Sequence, residues 1–224
     1  MGLDIFVHKV SNELASKNNV SIDSDYNTIK VMLNNDANID FERKTQKLVK
    51  KLRKEYSETD NYTEVYKNFI KSLKKQVKYF DEYDYNLKQL GYNYLTKEVE
   101  VTKTPDEVEK YLDTFKSHIY KISDAYFRKV NFLYAYFENK LVNESCNVCK
   151  EEIKQLIDIC SNVLKNKKDE DYAIEHLPTR SGFFFGNIEY NDWYYEQVKD
   201  CIKQMKKLYK SLKDDDFVIW DFSW

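Results

Sequence analysis

The chain has 224 residues, 42% of them apolar and 16% aromatic, which excludes a disordered polymer even though 33% are charged. A formal net charge of −2 gives no overall positive field to draw it to nucleic acid or an anionic membrane. Only Arg43, Arg53, Arg128 and Arg180 are arginine, which argues against recognition of phosphate by arginine forks.

Leu3 to Val10 is rich in β-formers and predicts a strand. Residues 11–37 are polar and asparagine-rich and read as a loop, with a possible strand at Ile29, Val31 and Leu33. From residue 39 the period becomes helical. One stripe runs Phe41, Thr45, Leu48, Leu52, Tyr56 and a second Val65, Phe69, Leu73, Val77, Phe80, so residues 39–93 are expected to form a helical hairpin. Leu95 to Thr102 alternates and could be a short strand. Thr104-Pro105-Asp106-Glu107 is a helix start, with a capping threonine, proline at the first position and a capping-box glutamate. The stripe from Val108 to Leu141 predicts one helix over 105–141, about 50 Å long. After a break at 143–147 comes a shorter helix with Val148, Ile153, Leu156, Ile157, Cys160 and Val163 inward, then a charged connector at 165–171. The last helix is expected from Asn191 or Asp192 to Leu212, stopped by Asp214-Asp215-Asp216, read as a solvated helix end. Phe217 to Trp224 predicts a terminal strand, which should pair with the first strand or with 95–102. The expected fold is mainly α (α+β): a helical bundle with a long central helix and a small sheet from the N- and C-terminal strands, in a single domain.

No run of about 18 apolar residues is present, so no membrane span is expected. The opening residues are too short and too early in acid for a signal peptide, which points to the cytoplasm. Cys146, Cys149, Cys160 and Cys201 are then expected as reduced thiols.

Residues 176–186, His-Leu-Pro-Thr-Arg-Ser-Gly-Phe-Phe-Phe-Gly, hold one of the two prolines and two of the four glycines. Glycine reaches backbone angles closed to other residues, so this segment specifies an unusual turn, and its three phenylalanines are expected in the core. Leu177–Gly186, together with Met1-Gly2-Leu3-Asp4 at the start and Ala125-Tyr126-Phe127-Arg128-Lys129-Val130-Asn131, resembles the signature segments of a family of small, functionally uncharacterised proteins of tailed bacteriophages. The terminal Ser223-Trp224 is similar to that family's ending. Where members often carry His and Trp, this chain has Tyr134 and Tyr136. The resemblance implies a phage origin and action in the host bacterial cytoplasm, and brings no activity with it. It covers 1–10 and 104–224, leaving 39–93 as an inserted elaboration.

The turn has two readings. In one it seats rings in the core; in the other its backbone amides and Arg180 line a pocket, as glycine-rich anion-binding loops do. On a continuous helix Tyr120, Asp124, Phe127, Asn131, Tyr134 and Glu138 would share one flank facing the turn. Asn131, Tyr134, Arg180, Ser181, Gly182 and Tyr190 are therefore the candidate ligand-binding residues. Cys146-x-x-Cys149 lacks the second pair that structural zinc requires, and Cys160 and Cys201 lie on apolar faces. His8, His118 and His176 show no metal-ligand spacing. No metal, cofactor or catalytic constellation is expected. The lysines at 44–54 and 67–78 read as solvated helix faces rather than a nucleic-acid surface. Tyr62, Tyr66, Tyr79 and Tyr83 are candidate protein-contact groups. The function expected is a non-enzymatic phage accessory protein that binds and inhibits a bacterial host or anti-phage defence protein. The alternative is a protein sequestering a small ligand or nucleotide signal beside the 176–186 turn.

Overall fold

The computed structural model describes residues 2–76, 85–93, 95–115 and 123–224. The fold is mainly α with a small antiparallel sheet that includes both terminal strands. Two compact units divide the chain, one formed by Met1–Ile29 with Ser123–Trp224, the other by Lys30–Ile122.

The first unit is built on a four-stranded sheet of β1 (Asp4–Val10), β4 (Ala125–Arg128), β5 (Ser145–Cys149) and β6 (Phe217–Ser223), in the order β4-β1-β6-β5. All neighbours run antiparallel, with Val7 opposite Trp220 and Ile5 opposite both Phe127 and Phe222. Phe217 to Trp220 are buried without alternation, as expected of an inner strand covered on both faces. Helices α7 (Lys150–Lys165) and α9 (Asp192–Ser211) add Ile153, Leu156, Cys160, Val198, Cys201 and Met205 to the core. Their starts are set locally. Glu152 accepts from the Cys149 N–H at 2.8 Å, and the Asn191 side chain accepts from the Tyr194 N–H at 3.3 Å.

The chain ends are also tied by a buried acid. Asp216 is 3% exposed, takes N–H groups from Asn12 (3.0 Å) and Lys213 (2.9 Å), and pairs with Lys9 Nζ at 2.8 Å. It is thus no solvated helix end, unlike its exposed neighbour Asp214. An acid that can complete three polar contacts is worth burying, and a run of aspartates does not reveal which one does so.

The second unit contains most of α2 (Tyr26–Glu58), with α3 (Tyr62–Gln76), α4 (Tyr85–Gln89), the two-residue strands β2 (Tyr92–Asn93) and β3 (Glu98–Val99), and α5 (Pro105–Phe115). Phe41, Leu48 and Leu52 meet Tyr66, Phe69 and Leu73 in a core closed by Leu90, Val108 and Leu112. Arg53 reaches from α2 to both Asp106 and Glu109 on α5. The Thr104–Glu107 capping box forms as the sequence predicts: Glu107 accepts from the Thr104 N–H at 2.8 Å, and Thr104 Oγ1 from the Glu107 N–H at 3.3 Å.

Several expectations are corrected. The long helix is present but lies at Tyr26–Glu58, 33 residues or about 50 Å. Asp25 caps its first turn, accepting from the Thr28 N–H at 3.0 Å, so the polar stretch to residue 37 is largely helical. No continuous helix occupies 105–141. Ala125–Arg128 is a strand, the left-handed Lys129 (φ 57°) ends it, and α6 begins only at Asn131 and stops at Phe137. Ala125 and Phe127 are buried while Tyr126 and Arg128 are exposed, a period of two hidden inside a stripe that also fits a helical period. Pairing with the edge of β1 decides the matter. Val148 belongs to β5 rather than to the following helix, and β3 pairs with β2, not with a terminal strand. The charged connector gives way at Glu170 to a short helix, α8 (Glu170–His176).

Candidate functional site

The segments around Leu3, at 125–131 and at 177–186 meet in one joint. The Leu3 N–H donates to the Phe184 carbonyl (3.0 Å), the Lys129 N–H to the Leu3 carbonyl (2.7 Å), and Asn131 Nδ2 to the Asn187 carbonyl (2.8 Å). The turn closes on itself through the Phe185 N–H and Gly182 carbonyl at 3.1 Å. Gly186 holds φ 94°, and a Cβ there would sit 3.1 Å from Lys129 Cβ and 3.3 Å from the Lys129 carbonyl oxygen. The glycine is required both by its backbone angle and by that close approach.

Only one of the three phenylalanines serves the core. Phe185 is buried, its ring 4.8 Å from Tyr134 and 5.3 Å from Trp224, whereas Phe184 is half-buried and Phe183 is 94% exposed. A four-residue turn cannot point three consecutive side chains the same way, so the expectation of three buried rings fails.

Every candidate ligand residue of the turn except Ser181 is engaged within this joint. Asn131 is 2% exposed and spends its amide on Asn187. Tyr134 packs between Phe185, Phe222 and Trp224, and burial, then the carboxylates of Glu138 and Glu144, push its phenol up. Arg180 is paired with Glu138 at 2.7 Å. Tyr190 accepts from the Thr179 N–H at 3.0 Å, while Thr179 Oγ1 donates to the Ile188 carbonyl at 2.9 Å. Gly182 has its Cβ position filled by the Phe185 ring, 2.7 Å away. Ser181 is exposed. The flank imagined on a continuous helix is not one flank: Phe127 lies on β4 and Asn131 and Tyr134 on α6, while Tyr120 lies outside the described residues.

The cysteines are free and three of the four are buried. Burial pushes the Cys146 thiol up to about 12, and a hydrogen bond with Cys160, then burial, raises Cys201. These are the properties of inert packing groups. Among the described residues no three His, Cys, Asp or Glu side chains gather to hold a metal, and no helix is long and apolar enough to cross a membrane.

In the second unit Tyr62 is half exposed and rests on Tyr56 with ring centroids 5.0 Å apart. Tyr66 has no exposed surface and donates its hydroxyl to the Leu90 carbonyl at 2.8 Å, so it is a core residue and offers no contact face. Tyr79 and Tyr83 lie outside the described residues. The same unit contains a groove of about 640 Å³ between α3 and the β2–β3 hairpin. Lys67, Lys71, Lys74 and Lys75 line it from the helix, Lys97 and Glu98 from the hairpin, and Ile70, Tyr92 and Val99 also contribute to its lining. Lys97 is not singled out by the sequence, because only the β2–β3 pairing brings residue 97 opposite α3, while the lysines of α3 read as a solvated face.

No family model matches the chain, and no curated protein or solved structure matches it.

Proposed function

We propose that the chain is a phage accessory protein that binds a bacterial host or anti-phage defence protein and inhibits it without chemistry. The observation that carries this reading is the unit at Lys30–Ile122. It has a core of its own yet displays Ile39, Leu95 and Val101 at 64, 94 and 54% exposure. Apolar groups left at the surface, together with the half-exposed Tyr62 of the same unit, are the material of a protein contact. The convergence of the motif segments in the other unit supports a scaffolding role for that unit. Sequestration of a small ligand at the turn ranks second, since Asn131, Arg180 and Tyr190 are already bonded to protein groups.

Expression in a bacterium carrying a defence system, followed by phage plating and co-purification, tests the reading. Restored plating and a stoichiometric complex are expected, both lost on Leu95→Asp with Val101→Asp while the fold persists. Unchanged plating together with no complex would overturn it.

A further inference from the structure

We infer that the groove between α3 and the β2–β3 hairpin is a binding site for a phosphate chain, carried by a nucleoside di- or triphosphate or free as polyphosphate. This site is separate from the turn, and the inference stands independently of the protein-partner reading. Its basis is a concentration of lysines along one groove in a chain of net charge −2. Some cations of this unit meet acids: Lys44 with Asp40, Lys51 with Glu55, Lys54 with Glu58, and Arg53 with Asp106 and Glu109. Five lysines and one acid, Glu98, line the groove among the described residues. Among the described residues Lys67, Lys71, Lys75 and Lys97 form no ion pair.

The arrangement costs stability when empty. Lys67, Lys71 and Lys75 follow one another at i,i+4, a spacing at which like charges repel. They make a row about 12 Å long at 1.5 Å per residue. The row keeps one face because Tyr66, Phe69, Ile70 and Leu73 of the same helix are buried. Lys74 is held in position by the Tyr92 hydroxyl at 2.8 Å, with its ammonium 4.1 Å from the centre of the ring. Lys97 closes the far side from a left-handed turn position, φ 58°. An anion with several charges in a row relieves the repulsion, and lysine ammoniums bind phosphate as point charges where arginine forks are scarce. The volume lies within the range of about 300–1,000 Å³ that small-molecule sites occupy. A compact phosphate chain concentrates its charge within such a space, which an extended acidic peptide or nucleic-acid strand does not.

Calorimetric titration of the full chain with sodium tripolyphosphate, ATP and adenosine tests the site. Both phosphates are expected to bind and adenosine not to. Lys71→Ala with Lys75→Ala should weaken both phosphates about tenfold or more, the loss expected for removed charge-assisted contacts. Lys97→Ala, on the hairpin side, should weaken them too and keeps the test decisive if the helix variant fails to fold. Lys47→Ala, outside the groove, should change nothing. ATP about tenfold tighter than tripolyphosphate identifies a nucleotide; equal affinities identify the phosphate chain alone. Absence of binding at millimolar concentrations overturns the inference. So does wild-type affinity in both folded groove variants, or tighter binding of oligoglutamate or single-stranded DNA than of tripolyphosphate.

Discussion

The 176–186 turn and the α3 groove use polar groups in opposite ways. At the turn, Asn131, Arg180, Thr179 and Tyr190 are each satisfied by a protein partner, and ring packing fills the space between them. In the groove, Lys67, Lys71, Lys75 and Lys97 form no ion pair among the described residues. A distinctive motif can therefore be a joint, while a bland run of lysines can hold the unspent charge. The largest test of this contrast is Phe185→Ala. Phe185 is buried between Tyr134 and Trp224, so its loss should cost about 3–5 kcal/mol, whereas Phe183→Ser, two residues earlier and 94% exposed, should cost almost nothing. Trp193, Trp220 and Trp224 all lie in the first unit, so tryptophan fluorescence during urea unfolding reads this difference without signal from the second.

Lys9 sharpens the contrast between lysines that are spent and those that are not. Its partner Asp216 is driven up by burial, but the Lys9 ammonium and the N–H groups of Lys213 and Asn12 outweigh this and leave the acid below its usual 3.8. A carboxylate with a lowered folded pKa contributes stability that is complete above its unfolded value, about 3.9, and is lost as pH falls through the folded one. Unfolding monitored by fluorescence should thus show stability falling below about pH 4. Asp216→Asn should flatten that slope and cost about 1.5–3 kcal/mol at neutral pH, the range for hydrogen bonds to a charged group. Equal acid sensitivity in wild type and variant would remove Asp216 from the account.

The sequence makes the terminal strands, the Thr104–Glu107 cap and the last helix legible, because each is specified by residues close together: β-formers at the ends, a capping box, and an Asn191 N-cap. The 125–128 strand is not legible, since Ala125 and Phe127 satisfy both periods and only the open edge of β1 selects one. The helix over 26–37 is hidden by asparagines that fall on its polar side, while Ile29, Leu33, Ala37 and Phe41 keep the buried stripe. At the turn, the glycines announce the backbone geometry but not its use. Gly186→Ala tests that geometry: φ 94° and the approach to Lys129 should make it cost about 1–3 kcal/mol by urea unfolding. A neutral result would mean the segments at Leu3, Lys129 and Gly186 can separate, reopening the turn as a ligand site.

Arg180→Ala is the smallest expected effect and the most discriminating. Arg180 and Glu138 are about half and one-third exposed, and such surface pairs contribute about 0–1 kcal/mol. The variant should therefore fold with near wild-type stability by fluorescence and circular dichroism, and should bind tripolyphosphate and support phage plating as the parent does. If stability is unchanged but plating is lost, Arg180 is doing something outside the joint, because removing a contact worth so little cannot disable the scaffold. The guanidinium would then be exchanging Glu138 for an external carboxylate or phosphate, and the turn rather than the second unit would be the working surface. Glu138→Gln separates the cases further: it frees Arg180 without removing it, so a functional role at the turn predicts that plating survives or improves in this variant while failing in Arg180→Ala.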